Sequence, residues 1–186
     1  MADPAKRRAT YEDVLGAPEH MLAEIIDGEL LLQPRPSKPH ALTATILVEE
    51  LGPPFRRGRG GPGGWILVSE PEVHLGADVI VPDLAGWRRE RMGSLPETAW
   101  FELAPDWVCE VLSPSTRQLD LTDKRDAYRT NGVGHLWLID PVARTLEAFR
   151  LENEAWVLIA ALKADAEVRV PPFDAITFPL AALWAD

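Results

Sequence analysis

The stretch APDWVCEVLSPSTRQLDLTDKRDAY, residues 104–128, decides the fold class. Its first part, WVCEVLS at 107–113, is rich in apolar and β-branched residues, a composition typical of a buried strand. From Ser115 or Thr116 the pattern predicts a helix that continues to Gly132, because glycine favours the conformation that ends helices. A buried strand leading directly into a helix indicates a mixed α/β protein.

Upstream of this stretch, the sequence predicts a hairpin, a helix and a loop. Asp27-Gly28 separates two apolar runs, and both residue types tolerate the positive φ angles of a tight hairpin turn, so we expect a hairpin at about 22–33. Ser37 is expected to cap a helix that ends before Gly52. The glycine- and proline-rich run GPPFRRGRGGPGG at 52–64 predicts a mobile loop without regular structure.

Further strand-like segments complete the order of elements. WILVSE, EVHL and ADVIVPDLAGW precede the deciding stretch, HLWLIDP follows it, TLEAFRL and AWVLIAAL predict a C-terminal hairpin, and FPLAALW predicts a last helix. The core order is helix, strand, strand, strand, helix, strand, which predicts an α+β fold with a mixed sheet flanked by helices. We expect one domain over 1–186, with the core at about 37–141 and a C-terminal extension at about 142–186.

Length and composition narrow the class of protein. The chain has 186 residues, of which 46% are hydrophobic, enough for a sizeable core. The longest apolar run, residues 156–162, is far shorter than the ~20 residues that span a bilayer. The basic, polar N-terminus does not resemble a secretory signal. The single cysteine excludes an intramolecular disulfide and a cysteine-rich zinc site. These features predict a cytoplasmic protein.

The charge balance is acidic, with two local exceptions. Nineteen basic and 29 acidic residues give a net charge of −10, which repels nucleic acid overall but also suits a protein that binds divalent cations. Solubility alone also explains an acidic surface. The exceptions are two arginine clusters that we expect to contact nucleic acid: Arg56, Arg57 and Arg59, and Arg88, Arg89 and Arg91. The alternative is that the first is a solvated loop and the second balances nearby glutamates.

Two carboxylates lie in apolar strand-like surroundings. Asp83 follows an apolar run, and strand alternation places Glu110 on the same face as Val108 and Leu112. A lone carboxylate on such a face is costly unless it is compensated, and a divalent cation would compensate it. The alternative is a buried salt bridge to a lysine or arginine.

Lys124 lies on the predicted helix after Glu110. Asp120, Lys124 and Tyr128 are spaced four residues apart and therefore share one helical stripe. Because Leu121 indicates a core-facing position beside this stripe, we expect the Lys124 ammonium to point toward the carboxylates. The alternative is an exposed ion pair between Asp120 and Lys124.

These residues, together with IIDGEL, PSKPH, VPDLAGW and GVGHLWLIDP, resemble the Uma-two family. This family consists of restriction-endonuclease-like proteins in the PD-(D/E)xK nuclease superfamily, and the resemblance covers about residues 24–141. It implies that Asp83 and Glu110 are the metal-binding carboxylates. Leu112 occupies the usual lysine position, and Lys124 matches a lysine that has moved to the next helix.

The resemblance implies an endonuclease that uses Mg²⁺ or Mn²⁺ to hydrolyse phosphodiester bonds, with DNA as substrate. Asp83, Glu110 and the Val111 carbonyl would hold the metal, with Glu70 as a further candidate, and Lys124 would be the catalytic cation. His40 matches a family histidine, Glu24 is a weaker candidate, and His135 departs from the family pattern.

Two functions of other classes remain open at the level of sequence. One is a binding or regulatory protein that keeps the nuclease fold without activity, and the other is a hydrolase of a small phosphate ester. If the protein cuts both strands of a duplex, a two-fold homodimer is the expected assembly.

Overall fold

A computed structural model describes residues 7–34 and 36–184. The helices are α1 (Tyr11–Leu15), α2 (Lys38–Leu51), α3 (Arg89–Met92), α4 (Arg117–Leu121) and α5 (Asp123–Thr130), with a π-helical turn at Gly52–Arg56 and a 3-10 helix at Leu180–Trp184. The strands are β1 (Met21–Ile26), β2 (Glu29–Pro34), β3 (Trp65–Ser69), β4 (Val73–Leu75), β5 (Asp78–Ile80), β6 (Leu84–Arg88), β7 (Trp107–Val111), β8 (His135–Asp140), β9 (Thr145–Glu152), β10 (Ala155–Lys163), β11 (Glu167–Val168) and β12 (Phe178–Pro179). None of the helices in the described part of the chain has the length and apolar character needed to cross a membrane.

The central sheet has six strands in the order β10-β9-β8-β7-β6-β3. Its neighbouring strands are antiparallel except for β7 and β8, which run parallel and are joined by the α4–α5 connection. The predicted mixed sheet is therefore confirmed, as is the order α2, β3, β6, β7, α4–α5, β8. Strands β4 and β5 are inserted between β3 and β6 and belong to a second sheet.

Alternation along β7 places successive side chains on opposite faces of the central sheet. Trp107, Cys109 and Val111 point toward α2 and the C-terminal 3-10 helix, in a core with Leu47 and Leu183. The intervening Val108 packs on the other face, in a core that includes Leu112, Ala127 and Tyr128. Glu110 shares this second face, as the sequence predicts, and is 1% exposed.

The second sheet has the order β2-β1-β5-β4. The predicted hairpin is confirmed: Ile26 pairs with Glu29, and the turn residues Asp27 and Gly28 have φ angles of 50° and 76°. The segment ADVIVPDLAGW is not one strand but two, β5 and β6, in different sheets. Residues 81–83 cross from one sheet to the other, and Asp83 lies directly before β6.

The run at 52–64 was predicted to lack regular structure, and for its first five residues this is wrong. Gly52–Arg56 continues α2 as a π-helical turn in which Pro54 and Phe55 are buried. Phe55 contacts Phe173 with ring centroids 4.7 Å apart, so tertiary packing overrides the low helix propensity of glycine and proline.

Two predicted helices also differ in detail. The helix expected up to Gly132 is broken at Thr122 into α4 and α5, and the Thr122 hydroxyl donates a 2.7 Å hydrogen bond to the Gln118 carbonyl. Its N–H keeps the bond to the same carbonyl, and the break lies in the Thr122 backbone, whose φ and ψ are −118° and −86°. Gly132, with φ 74°, ends α5 as expected. The segment FPLAALW begins as strand β12 and only then forms the 3-10 helix.

Candidate active site

Asp83 and Glu110 meet where β6 begins and β7 ends. The Asp83 N–H donates to Glu110 Oε2 at 3.4 Å, and the Val111 N–H donates to Asp83 Oδ2 at 2.7 Å. The N–H and C=O of a residue in an extended strand point to the same side, so the Val111 carbonyl also lies on the side of Asp83. The structure thus brings together the two carboxylates and the carbonyl that the resemblance implies as metal ligands.

The Lys124 ammonium lies inside this cluster and is almost wholly buried. It is 2.9 Å from Glu110 Oε1 and 3.3 Å from Glu24 Oε1, and it donates to the Val81 carbonyl at 3.2 Å. Asp120 Oδ1 is more distant, at 3.8 Å, so the alternative Asp120–Lys124 ion pair is present in addition, but it is buried and not exposed. The ammonium therefore donates a hydrogen bond to one carbonyl and forms ion pairs with the carboxylates around it.

Glu24 lies on β1 and is 0% exposed. Its Oε2 accepts a hydrogen bond from the Gln33 amide of β2, and its Oε1 accepts the Val81 N–H at 2.7 Å. The sequence suggested only a weak candidate near a hairpin turn. Its contact with Lys124 depends on how strand β1 packs against helix α5, which no local pattern encodes.

His40 and Tyr128 hold the two carboxylates from opposite faces of the sheet. His40, in the first turn of α2, places Nε2 3.0 Å from Asp83 Oδ2. Tyr128, on α5, donates its hydroxyl to Glu110 Oε1. Burial alone would lower the pKa of His40, but the hydrogen bond and the negative charge of Asp83 outweigh burial and raise that pKa.

In each of the two carboxylates, Asp83 and Glu110, the protein therefore binds mainly one of the two oxygens. Asp83 Oδ2 accepts two hydrogen bonds and Glu110 Oε1 receives both Lys124 and Tyr128. Among the described residues, Asp83 Oδ1 has no hydrogen-bond donor, and Glu110 Oε2 has only the long contact from the Asp83 N–H. One oxygen of each group is left with free coordinating capacity.

Asp120 is a member of the cluster that sequence reasoning placed on the right stripe but did not assign to the site. It is buried, and its Oδ2 accepts a 2.7 Å hydrogen bond from the Thr116 hydroxyl. Burial, opposed by Lys124 and Thr116, raises its pKa to about 6. The four-residue spacing to Lys124 was the available signal.

The cluster contains more carboxyl groups than basic side chains. The carboxylates of Glu24, Asp83, Glu110 and Asp120 gather around the single ammonium of Lys124. Burial, opposed by Lys124 and reinforced by Asp120 and Asp83, raises the pKa of Glu110 well above its usual range. Burial alone would lower the pKa of Lys124, yet the surrounding carboxylates, led by Glu110 and Glu24, raise it well above its ordinary value.

This excess of carboxylates fits a divalent cation. Within residues 7–34 and 36–184, no group of three or more His, Cys, Asp or Glu side chains is arranged to hold a metal ion. Mg²⁺ often takes only one or two protein carboxylates and fills its other positions with water and substrate oxygens. The free oxygens of Asp83 and Glu110 match that habit.

The cluster opens into a cleft of about 290 Å³. Its walls include His40, Asp83, Glu110, Asp120 and Lys124. Glu70 lies at its edge, is exposed, and donates its N–H to the Asp83 carbonyl at 2.9 Å. It therefore lines the same cleft as Asp83 and Glu110.

The arginine clusters lie away from this cleft. Arg88 is five residues from Asp83 along β6, or about 16 Å at the usual rise of a strand. Arg56, Arg57 and Arg59 precede Trp65, the partner of Arg88 in the sheet, and the Arg88 guanidinium stacks on the Trp65 ring. Both clusters are exposed at the far end of β3 and β6. Arg91 is paired with Asp106 at 2.7 Å, and not with the glutamates considered from the sequence.

His135, where the sequence departs from the family pattern, is also remote. It pairs with Trp107 at the start of β7, three residues before Glu110 along that strand. The substitution at this position therefore leaves the carboxylate cluster untouched.

Comparison with known proteins identifies a family whose model this sequence matches and a solved structure with a similar fold. The family model described as "Uma2: Putative restriction endonuclease" matches residues 9–181. A crystal structure described as a putative nuclease belonging to DUF820, from Anabaena variabilis, is 23% identical with a TM-score of 0.72, covering 95% of this chain and 97% of that one. At this identity the likeness shows the fold alone. The curated proteins give no match.

Proposed function

The chain belongs to the Uma2 family, and on that premise we propose that it is a divalent-metal-dependent endonuclease that hydrolyses phosphodiester bonds of nucleic acid, with DNA as its substrate. One observation carries the proposal. Asp83 and Glu110 lie side by side at the ends of two neighbouring strands, and each has one oxygen fixed by the protein and the other left with coordinating capacity.

Asp83, Glu110 and the Val111 carbonyl would hold Mg²⁺ or Mn²⁺. When bound, the ion polarises the scissile phosphate and lowers the pKa of a bound water. His40 and the Val111 N–H keep Asp83 in one orientation, and Tyr128 and Lys124 do the same for Glu110. The protein thus supplies a rigid pair of carboxylates at the base of a cleft.

Lys124 acts through its charge in this proposal. Its ammonium is buried, donates to the Val81 carbonyl and faces the carboxylates of Glu110 and Glu24. A preorganised cation beside the cleft offsets charge that develops on the phosphate without any new hydrogen bond. The geometry therefore favours charge compensation over orientation of the attacking water.

Metal-dependent cleavage tests the proposal. We expect the protein to cut plasmid DNA in Mg²⁺ or Mn²⁺ but not in EDTA, and Asp83→Ala to reduce the rate roughly 100-fold or more, the scale for loss of a preorganised electrostatic group. Asp165→Ala, the same change at an exposed turn, is the matched control and keeps full activity. Absence of cleavage of both DNA and RNA in either metal would favour the binding or regulatory alternative.

A further inference from the structure

The segment at 81–83, which places Asp83 in the cleft, is bound to the rest of the protein through the backbone of Val81. Its N–H donates to Glu24 Oε1 at 2.7 Å, and its carbonyl accepts from Lys124 Nζ at 3.2 Å. Both polar groups of this one peptide residue are thus bound by charged side chains, two positions before Asp83. Pro82, between them, has no N–H and limits the backbone further.

Glu24 contacts both Val81 and Lys124. The same Oε1 that accepts the Val81 N–H lies 3.3 Å from the Lys124 ammonium. The other oxygen is oriented by the Gln33 amide, and the residue is fully buried. A carboxylate held at both oxygens in the interior has a fixed position. It ties the hairpin of the second sheet to the residues that cross into the first.

From this arrangement we infer that Glu24 is a positioning residue of the active site, which sets Asp83 through the Val81 backbone and Glu110 through the Lys124 ammonium. It does not touch the metal or substrate. The inference rests on the proposed function, because the geometry it sets is that in which Asp83 and Glu110 share a cation. The N-terminal hairpin is then part of the catalytic apparatus and not only a cover for the core.

A simpler account is that Glu24 only adds negative charge near the cation. The neighbouring Gln33 allows the two to be separated. Glu24→Gln removes the charge and replaces the Oε2 acceptor with an amide N–H, so that the Gln33 amide must turn its oxygen toward it. The double variant Glu24→Gln with Gln33→Glu restores the charge count and a carboxylate–amide hydrogen bond, but moves the carboxylate away from Val81 and Lys124. If Glu24 acts only through its charge, the double variant should behave like the wild type. If Glu24 acts through its position, the double variant should differ from the wild type.

The experiment measures Mn²⁺ binding by calorimetry and hydrogen exchange of the Val81 amide by NMR in EDTA. Loss of a residue that orients metal ligands typically weakens metal binding about 10- to 100-fold. We expect that loss in Glu24→Gln and in the double variant, with faster Val81 exchange in both. Glu147→Gln, the same change at an exposed site on β9, is the matched control and should equal the wild type.

The outcomes are separable. Unchanged Mn²⁺ affinity and Val81 exchange in Glu24→Gln would overturn the inference, as would full restoration in the double variant. If Glu24→Gln fails to fold, the double variant, which keeps the buried hydrogen bond, decides alone. If the wild type itself binds no Mn²⁺, the proposed function fails. The positional role is tested separately by hydrogen exchange, and it is overturned if the Val81 amide exchanges as slowly in both variants as in the wild type.

Discussion

At the scale of single residues, Asp120 shows how the cluster controls protonation. Its pKa is raised from 3.8 to about 6, first by burial. The folded protein therefore holds a proton on Asp120 between about pH 4 and pH 6, where the unfolded chain has released it. Because the native state binds the extra proton, this residue makes stability fall as the pH rises through that window.

Asp120→Asn should remove this dependence. The shift corresponds to up to about 3 kcal/mol between pH 4 and pH 7. We expect the wild type to lose that much relative to the variant over this range, measured by urea denaturation in EDTA. Asp165→Asn, at an exposed turn, provides the control curve. Parallel pH profiles for the wild type and Asp120→Asn would show that the carboxyl is not perturbed by its surroundings.

The same residues mark how far sequence reasoning reaches. Strand alternation predicts the buried face of Glu110, because side chains alternate with a fixed period. The apolar run before Asp83 and the helical stripe of Lys124 point to those two residues, and the resemblance to a family adds His40; the structure brings all three to one cleft. No local pattern identifies the contact of Glu24 with Lys124, because it joins residues 100 positions apart through the packing of strand β1 against helix α5.

At the scale of elements, the hairpin turn is the sharpest test of the local structure. Gly28 has φ +76°, and a Cβ there would lie 2.9 Å from the Arg8 side chain. We expect Gly28→Ala to destabilise the protein by about 1 kcal/mol, since alanine resists positive φ. Gly52→Ala is the control, with no atom within 4 Å of the added Cβ and an α-helical φ of −61°. Equal stability of the two variants in urea would contradict the turn conformation.

Elements formed by local signals were predictable, and those formed by packing were not. The hairpin turn and the end of α5 each contain a glycine with positive φ, and the glycine is visible in the sequence. The π-helical turn at Gly52–Arg56 instead depends on Phe55 contacting Phe173, which is 118 residues away in the chain. The break at Thr122 lies in one residue whose φ and ψ are −118° and −86°, and no local sequence signal marks that position.

At the scale of the whole molecule, charge is unevenly distributed. The net charge is −10, the carboxylate cluster lies at one end of β6, and the arginine clusters lie at the other, about 16 Å away. Nucleic acid that reaches the cleft would have to pass from a basic to an acidic region. We therefore expect weak binding that falls steeply with salt, by about 0.9 log units per phosphate contact on duplex DNA.

Replacing Arg88, Arg89 and Arg91 with glutamine should weaken oligonucleotide binding and reduce its salt slope, while Mn²⁺ affinity stays unchanged because the cluster is remote from Asp83. Arg169→Gln, in the C-terminal extension, is the control. Titration of a labelled duplex at two salt concentrations measures both quantities. Absence of binding at low salt would count against a nucleic-acid substrate as a whole.

The central claim is that Asp83 and Glu110 together hold one divalent cation. The most direct measurement is an anomalous difference map from crystals of the protein soaked in Mn²⁺. We predict one strong peak within coordination distance of Asp83 Oδ1 and Glu110 Oε2, absent from crystals of Asp83→Ala soaked in the same way. A map with no peak at this position, or with a peak that persists in Asp83→Ala, would contradict the claim.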